Sequence, residues 1–485
     1  MPKQARRIFI DCSFINFAKQ PTGIPRVVLK YIEVGYAWGT RQNVEVIPVV
    51  PTKETLVLCR PVPGLGVPGH LVEKAKESDV KTPRSGIEAA AKVTLEYLRN
   101  VVHHALFLVA SLLPVPPVKS GSVWIDDAVK RGCTAFEKYV ERQRTKLIQY
   151  IPRAGDVLFA PAYWHDVDPE IYESLRTKGA KVVILVHDLL PIMYENFYPS
   201  PWRYLFKENV GKAFGYASAF FCVSNLTKAA LNEFGQRQKL QPVPTMTAYN
   251  GFEPLVADTI AEQIKQGTVR PIMGSARFYA VTQMNPLLMV GSVEPKKGHV
   301  PVIKCLEAMW AAGYERPLLI IGRTGWMEQD VVAAIEKSSF YNSKLFWFTD
   351  IDDFDLATAY LRCYALVFSS ISEGFGIPMI EASYYGKPTI AYDTPIVREV
   401  LGSRALLFSS AYELVQHLDA IEDAARYAQV GESARQLQWP TWNDYTPRIF
   451  DILMAVAKGD GKLAEQIASS TGTIPPQPIL QPVAA

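Results

Sequence analysis

Ser372-Glu373-Gly374-Phe375-Gly376-Ile377-Pro378-Met379-Ile380-Glu381 is the stretch that decides how this chain is read. Before it, Tyr364 to Phe368 is an apolar run of strand character; after it, Gly386 and Lys387-Pro388 lead into a second such run, Pro388 to Tyr392. Two glycines flank an aromatic residue, so the backbone between the runs can turn sharply and approach a ligand closely. Pro378 suits the first helical position, and Gly386 stands where a helix C-cap is expected. The unit reads as strand, glycine loop, short helix, strand. A helix N-terminus with glycine-freed amides is a site for anions or sugar hydroxyls. Glu373 precedes that helix and Glu381 is expected within its first turn, so two carboxylates serve one pocket. Either Glu alone reads equally well as a solvated helix start, where Glu is common; the ten residues together do not.

Working outward, strands and helices alternate in two halves. Expected strands of the first half are Ile8 to Asp11, Val44 to Val50, Val157 to Ala160, Val182 to Val186 and Ala219 to Val223, with a helix at Val27 to Ala37. The second half starts at Leu287 and continues through Leu318 to Ile321, Leu345 to Phe348, Ala365 to Phe368 and Thr389 to Tyr392. Short, β-branched, nearly unbroken apolar runs are the mark of buried parallel strands. The expectation is α/β: two doubly wound halves, residues 1–255 and 286–435, facing across a cleft that holds a ligand at the strands' carboxyl ends. Residues 436–457 are expected as a C-terminal helix crossing back to the first half. The pattern lapses between about 51 and 150, read as an insertion, and the Ser-, Pro- and Gln-containing tail 458–485 reads as disordered.

The 485 residues, 48% hydrophobic and 20% charged, suit a globular protein with large cores. A net charge of +3 is too small to make nucleic acid the main partner. The six cysteines show no paired spacing and read as reduced core thiols of a cytosolic protein. Met1 to Arg7 runs straight into a strand and is not expected to be a signal peptide. No segment reaches the roughly 18 to 20 apolar residues of a membrane span. Within residues 87–118, Val101 to Leu113 reads either as a buried hairpin of the insertion or as an interfacial membrane helix.

Two further motifs carry chemistry. Val290-Gly291-Ser292-Val293-Glu294-Pro295-Lys296-Lys297-Gly298-His299 is a strand, a tight turn and two lysines just before a helix. Ammonium groups and helix amides neutralise a diphosphate; a plain surface Lys-Lys pair is the competing reading, and Lys297 is favoured as the main phosphate ligand. Val186-His187-Asp188-Leu189-Leu190-Pro191 ends a buried strand, so His187 is expected to point into the cleft. Ile321-Gly322-Arg323-Thr324-Gly325-Trp326 ends another strand, where Arg323 is placed to approach a nucleotide.

In the His187, Lys296-Lys297 and Glu373-to-Glu381 motifs, in that order along the chain, it resembles the retaining, nucleotide-sugar-dependent glycosyltransferases of family 4, which have the GT-B fold. The resemblance covers most of residues 8 to 457, poorly between 51 and 150. Glu373 and Glu381 match the family's Glu-x7-Glu motif, the lysine turn its basic signature, and His187 to Pro191 its His-Asp-Leu-x-Pro segment. Family members often carry arginine in the basic signature, at a position that Ser292 matches here. Thr22-Gly23-Ile24-Pro25-Arg26 resembles the family's first glycine loop. The resemblance implies that His187, Lys297 and Glu373 are catalytic. Donor binding falls to Gly23, Ser292, Lys296, Lys297, Arg323, Ile351, Glu373, Gly374, Phe375, Gly376, Ile377 and Glu381, with Glu381 on the ribose and a base near Thr349 to Ile351. Asp188 and Arg26 are acceptor-side. It implies no cofactor and no metal, the substrate being the nucleotide-diphosphate sugar, with mannose from GDP-mannose favoured. The acceptor is a glycan or lipid-linked molecule of bacterial surface polysaccharide synthesis, and the protein is cytoplasmic, with peripheral membrane contact through residues 87–118. An epimerase or phosphorylase on the same fold, or a non-catalytic nucleotide-sugar binder, stands as the alternative.

Overall fold

Strand β1 (Arg6–Asp11) is exposed at its first residue and buried at the five that follow, the signature of a central strand covered on both faces. The computed structural model describes residues 6–13, 23–59, 149–266, 276–460, 462 and 466. The stretch 87–118, and with it the choice between hairpin and membrane helix, lies outside the described residues, as does nearly all of the tail beyond 460. Among the described residues no helix is long and apolar enough to cross a membrane.

Around β1 the first sheet adds β2 (Val44–Pro51), β3 (Leu56–Leu58), β4 (Gln149–Tyr150), β5 (Val157–Ala160), β6 (Lys181–Val186), β7 (Ala219–Cys222) and β8 (Thr245–Thr247), in the order β4-β3-β2-β1-β5-β6-β7-β8. From β2 to β8 every pair is parallel. β3 and β4 extend the edge antiparallel. Both ends of the expected insertion are therefore strands of this sheet. The second sheet is β9 (Leu287–Val290), β10 (Leu318–Ile321), β11 (Leu345–Phe348), β12 (Ala365–Phe368), β13 (Thr389–Tyr392) and β14 (Leu406–Phe408). It is wholly parallel, in the order β11-β10-β9-β12-β13-β14. Each order reverses once, between β1 and β5 and between β9 and β12; ligands bind at such reversals, beyond the strands' carboxyl ends.

Two helices fix the halves to each other. The first, Ile24–Gln42, is longer than the expected Val27 to Ala37. Pro25 starts it without losing a needed amide, and Asn43 ends it in the left-handed region at φ 52°. The last, Trp442–Ala457, opens with a capping box between Thr441 and Asp444. It returns to the first sheet, where Phe450 stacks on Trp38 at 5.2 Å and Trp442 meets Tyr31 at 5.9 Å. One apolar cluster runs from Ile8 and Phe159 through this helix to Phe375 and Met379 of the second half.

Candidate active site

A cavity of about 520 Å³ lies where the two reversal points face each other, a size that suits a ligand of nucleotide-sugar dimensions. From the first half it is lined by Gly23, Arg26 and His187; from the second by Ser292, Lys297, Arg323, Ile351, Glu373, Phe375, Gly376, Ile377 and Glu381. Each second-half residue follows a strand end: Ser292 after β9, Arg323 after β10, Ile351 after β11 and Glu373 after β12. Of the residues singled out in the sequence, Asp188, Lys296 and Gly374 do not line the cavity.

Lys297 and Glu373 form an ion pair inside the cleft, both mostly buried. Burial pushes the Glu373 carboxyl up, but the Lys297 and Lys296 ammonium groups outweigh it and hold the group below its usual range. Lys296 corrects the expectation of two donor lysines. Its ammonium turns to the first half, donating to the Tyr198 hydroxyl at 2.9 Å and lying 3.6 Å from Glu294. The 3₁₀ turn Pro295–Lys297 sends neighbouring side chains in different directions, which the adjacent letters do not reveal. Ser292 donates its hydroxyl to Glu294, a buried carboxylate that also meets the Trp326 amide at 3.4 Å. Glu294 thus organises the basic loop from beneath, a role the sequence reading missed.

Glu381 also departs from its expected position. The helix is Ile377–Tyr384, capped by Gly376 at φ 96°. Only glycine enters this backbone region without strain, and it starts the helix one residue ahead of Pro378. Glu381 therefore sits in the second turn. It is buried, and its Oε2 accepts from the fully buried Tyr360 hydroxyl at 2.8 Å. Burial raises its pKa, opposed by Tyr360 and by Arg26 across the cleft. Arg26 lies 3.7 Å from Asp353, another cavity residue the sequence reading did not single out. At the rim, the exposed Arg323 bonds Asp350 at 3.3 Å.

His187 follows β6, and its Nε2 lies 2.6 Å from the Pro161 carbonyl. Burial lowers its pKa, with the Pro161 carbonyl and Asp188 acting the other way. The neutral ring then carries its proton on Nε2 and a lone pair on Nδ1. Asp188 does not line the cavity; its Oδ1 accepts from the Leu190 amide at 3.0 Å and caps its own turn. Gly374 packs closely against the first half. A Cβ there would stand 2.0 Å from the His187 carbonyl oxygen, so the glycine loop and the His187 segment touch across the domain boundary. Trp442, at the start of the returning helix, lines the cavity as well; no local pattern marks it, because its place depends on the return of a distant helix.

Chemically the cleft pairs a cation with a carboxylate on its floor, a second carboxylate a short way off, and glycine-freed amides at a helix start. That set can neutralise a phosphate and hold hydroxyls. Among the described residues no group of three His, Cys, Asp or Glu is arranged to hold a metal ion.

Residues 280–437 match the model of the family described as glycosyl transferases group 1. The serotype-specific mannosyltransferase WbdA of Escherichia coli is 30% identical over 295 residues, 59% of this chain and 36% of that protein. The O-antigen chain mannosyltransferase RfbU of Salmonella typhimurium is 31% identical over 147 residues, 29% of this chain and 40% of its own. The chain thus spans well under half the length of these relatives. Among solved structures, sucrose-phosphate synthase from Thermosynechococcus elongatus aligns with a TM-score of 0.54 at 16% identity, over 96% of this chain and 100% of that one. Anabaena Alr3699/HepE in complex with UDP and glucose aligns with a TM-score of 0.53 at 16% identity, over the same shares. At such identities the likeness shows the fold.

Proposed function

We propose that this chain, whose residues 280–437 match the glycosyl transferases group 1 model and whose fold is GT-B, transfers a hexose from a nucleotide-diphosphate sugar to a glycan or lipid-linked acceptor, with retention of configuration. Mannose from GDP-mannose is the donor proposed, in keeping with the mannosyltransferases it resembles, and surface polysaccharide the product. The observation that carries the reading is the Lys297–Glu373 pair on the floor of a cavity walled by both halves, with Glu381 nearby.

In this reading the donor diphosphate approaches Lys297, which exchanges part of its contact with Glu373 for the phosphate. Negative charge grows on the diphosphate as the glycosidic bond breaks. A cation fixed in a partly closed cleft stabilises that charge without reorganising. Glu373, freed to accept, and the amides around Phe375 and Gly376 hold the sugar hydroxyls. Glu381 accepts from the ribose hydroxyls. The neutral His187 holds a sugar hydroxyl from the opposite wall. The acceptor hydroxyl attacks on the face the diphosphate leaves, and the departing phosphate oxygen takes its proton. Basic side chains meet the leaving charge without a divalent ion.

The test begins with thermal shifts in UDP-, GDP- and dTDP-sugars. A ligand at 100 times its Kd adds about 2.7 kcal/mol. The stabilising donor is then incubated with acceptor glycan, and nucleoside diphosphate release and product anomer are read. Binding without release would leave a nucleotide-sugar binder, an inverted anomer would end the retaining mechanism, and no stabilisation by any sugar nucleotide would overturn the assignment.

A further inference from the structure

Glu399 stands outside the cavity lining, on the second-half helix Pro395–Leu401, yet its carboxylate completes a helix of the first half. Oε1 accepts from the Asn225 amide at 2.6 Å and from the Tyr249 hydroxyl at 3.0 Å. Oε2 accepts from the Leu226 amide at 3.0 Å. Asn225 and Leu226 open the helix Asn225–Arg237, and the third amide, of Thr227, is taken by the Ser224 hydroxyl at 3.0 Å. The first amides of a helix have no partner within it, and they carry partial positive charge that a carboxylate offsets. Here the carboxylate comes from more than 170 positions along the chain, across the domain boundary. The cap is complete only when the two halves stand at this separation.

The capped helix leads to both walls of the cavity. Thr227 donates its hydroxyl to the His187 carbonyl at 3.5 Å. The Tyr249 ring, whose hydroxyl Glu399 accepts, lies 6.3 Å from Phe375 in the glycine loop. The loop in turn sits against the His187 carbonyl through Gly374. Arg398, beside Glu399, points outward to Asp393.

We propose that Glu399 is a positioning residue for the sugar transfer. By capping the opposite half's helix it holds the two halves in register, so that His187 and the Glu373–Phe375 loop face each other across the donor. The proposal rests on the function proposed above, and its test separates the two. Glu399→Ala, Glu399→Gln and Tyr249→Phe are compared with the outward-facing control Arg398→Ala. The readouts are kcat and KM for transfer, nucleoside diphosphate Kd, melting temperature, and the radius of gyration with and without nucleoside diphosphate. Glu399→Ala loses bonds to a charged group, so kcat is expected to fall about 10- to 100-fold, with Kd within about threefold of wild type. Its radius of gyration should exceed the wild type's, and closure on nucleotide addition should weaken. Glu399→Gln, which keeps an acceptor oxygen, should recover part of kcat and of the closure; Tyr249→Phe should lie between. Unchanged kcat and scattering in folded Glu399→Ala, or a fall in kcat matched by a parallel rise in Kd, would overturn the proposal. Should Glu399→Ala fail to fold, Glu399→Gln and Tyr249→Phe decide by the same criteria. A wild-type protein that transfers no sugar would remove the function proposed above, while the scattering comparison, which needs no turnover, would still judge the clamp.

Discussion

Lys296 and Lys297 are adjacent, but the structure divides them: Lys297 enters the cleft to meet Glu373, and Lys296 crosses to Tyr198. If Lys297 faces the leaving diphosphate, Lys297→Ala should lower turnover by about 10²- to 10³-fold, roughly 3 to 4 kcal/mol, with little change in melting temperature. Lys296→Ala should cost much less, since it loses a contact to a phenol. Turnover of the preferred sugar nucleotide in both variants checks this, and near-wild-type turnover in both would remove the phosphate site from this loop. The titrating groups of the cleft give a signed pH dependence. His187 has its pKa lowered by burial from an ordinary value of 6.5. The unfolded chain therefore binds that proton first: the stability tied to the neutral ring is full above about pH 6.5 and is lost as pH falls below it. Glu373, held below its ordinary 4.5, adds stability present above that value and lost as pH falls through its lower folded value. Glu381 has the opposite sign, its pKa being raised above 4.5 by burial. Its protonation favours the folded state, while removing the charged acceptor proposed for the ribose. Nucleoside diphosphate affinity should thus begin to weaken on acidification while the pH is still above about 4.5, and Glu381→Gln should flatten that part of the profile.

Elements place these groups in ways that single residues do not. The strand ends are set by the parallel register, so Ser292, Arg323, Ile351 and Glu373 reach the cavity because β9 to β12 end in one row. The glycine-capped helix Ile377–Tyr384 presents Glu381 to the helix Asp353–Arg362, where Tyr360 waits with its hydroxyl. That bond lowers the Glu381 pKa against the effect of burial. Tyr360→Phe keeps the ring, which stacks on Tyr385 at 5.8 Å, and removes only the donor. The expected outcome is a further rise in the Glu381 pKa, so the acid limb of nucleotide affinity moves to higher pH. Affinity at neutral pH should drop by about 1 to 3 kcal/mol if the carboxylate is left with an unmet bond. Calorimetric titration across pH checks both, and an unmoved acid limb would show that Tyr360 does not tune Glu381.

At the scale of the whole molecule, the halves are joined by the returning helix, by Glu399 and by contact of Gly374 with the His187 segment. Phe450 is the centre of the first of these: fully buried, stacked on Trp38, and lying where a Cβ on Gly35 would come within 2.5 Å of its ring. Phe450→Ala should destabilise the protein by about 3 to 5 kcal/mol through lost burial and the cavity left behind, read as a shift in denaturant midpoint. A loss under about 1 kcal/mol would mean the site collapses and the helix does not anchor the halves. Much of the architecture was legible in the chain: Leu318 to Ile321, Leu345 to Phe348 and Thr389 to Tyr392 are strands with the expected ends, because a short apolar run walled by turn residues has few other uses. The glycine loop and the helix after it were legible too, since glycine and proline act locally on φ. By itself, then, the sequence determined what each short segment becomes and which motifs end each strand, because those depend on neighbours within a few residues. The tertiary structure alone decided that Lys296 turns to Tyr198, that Asp188 serves its own turn, that Tyr360 meets Glu381, and that Glu399 caps a helix of the other half. Partners such as Lys297 and Glu373, or Asn225 and Glu399, are 76 and 174 residues apart; only the packing of two sheets across a cleft brings them together.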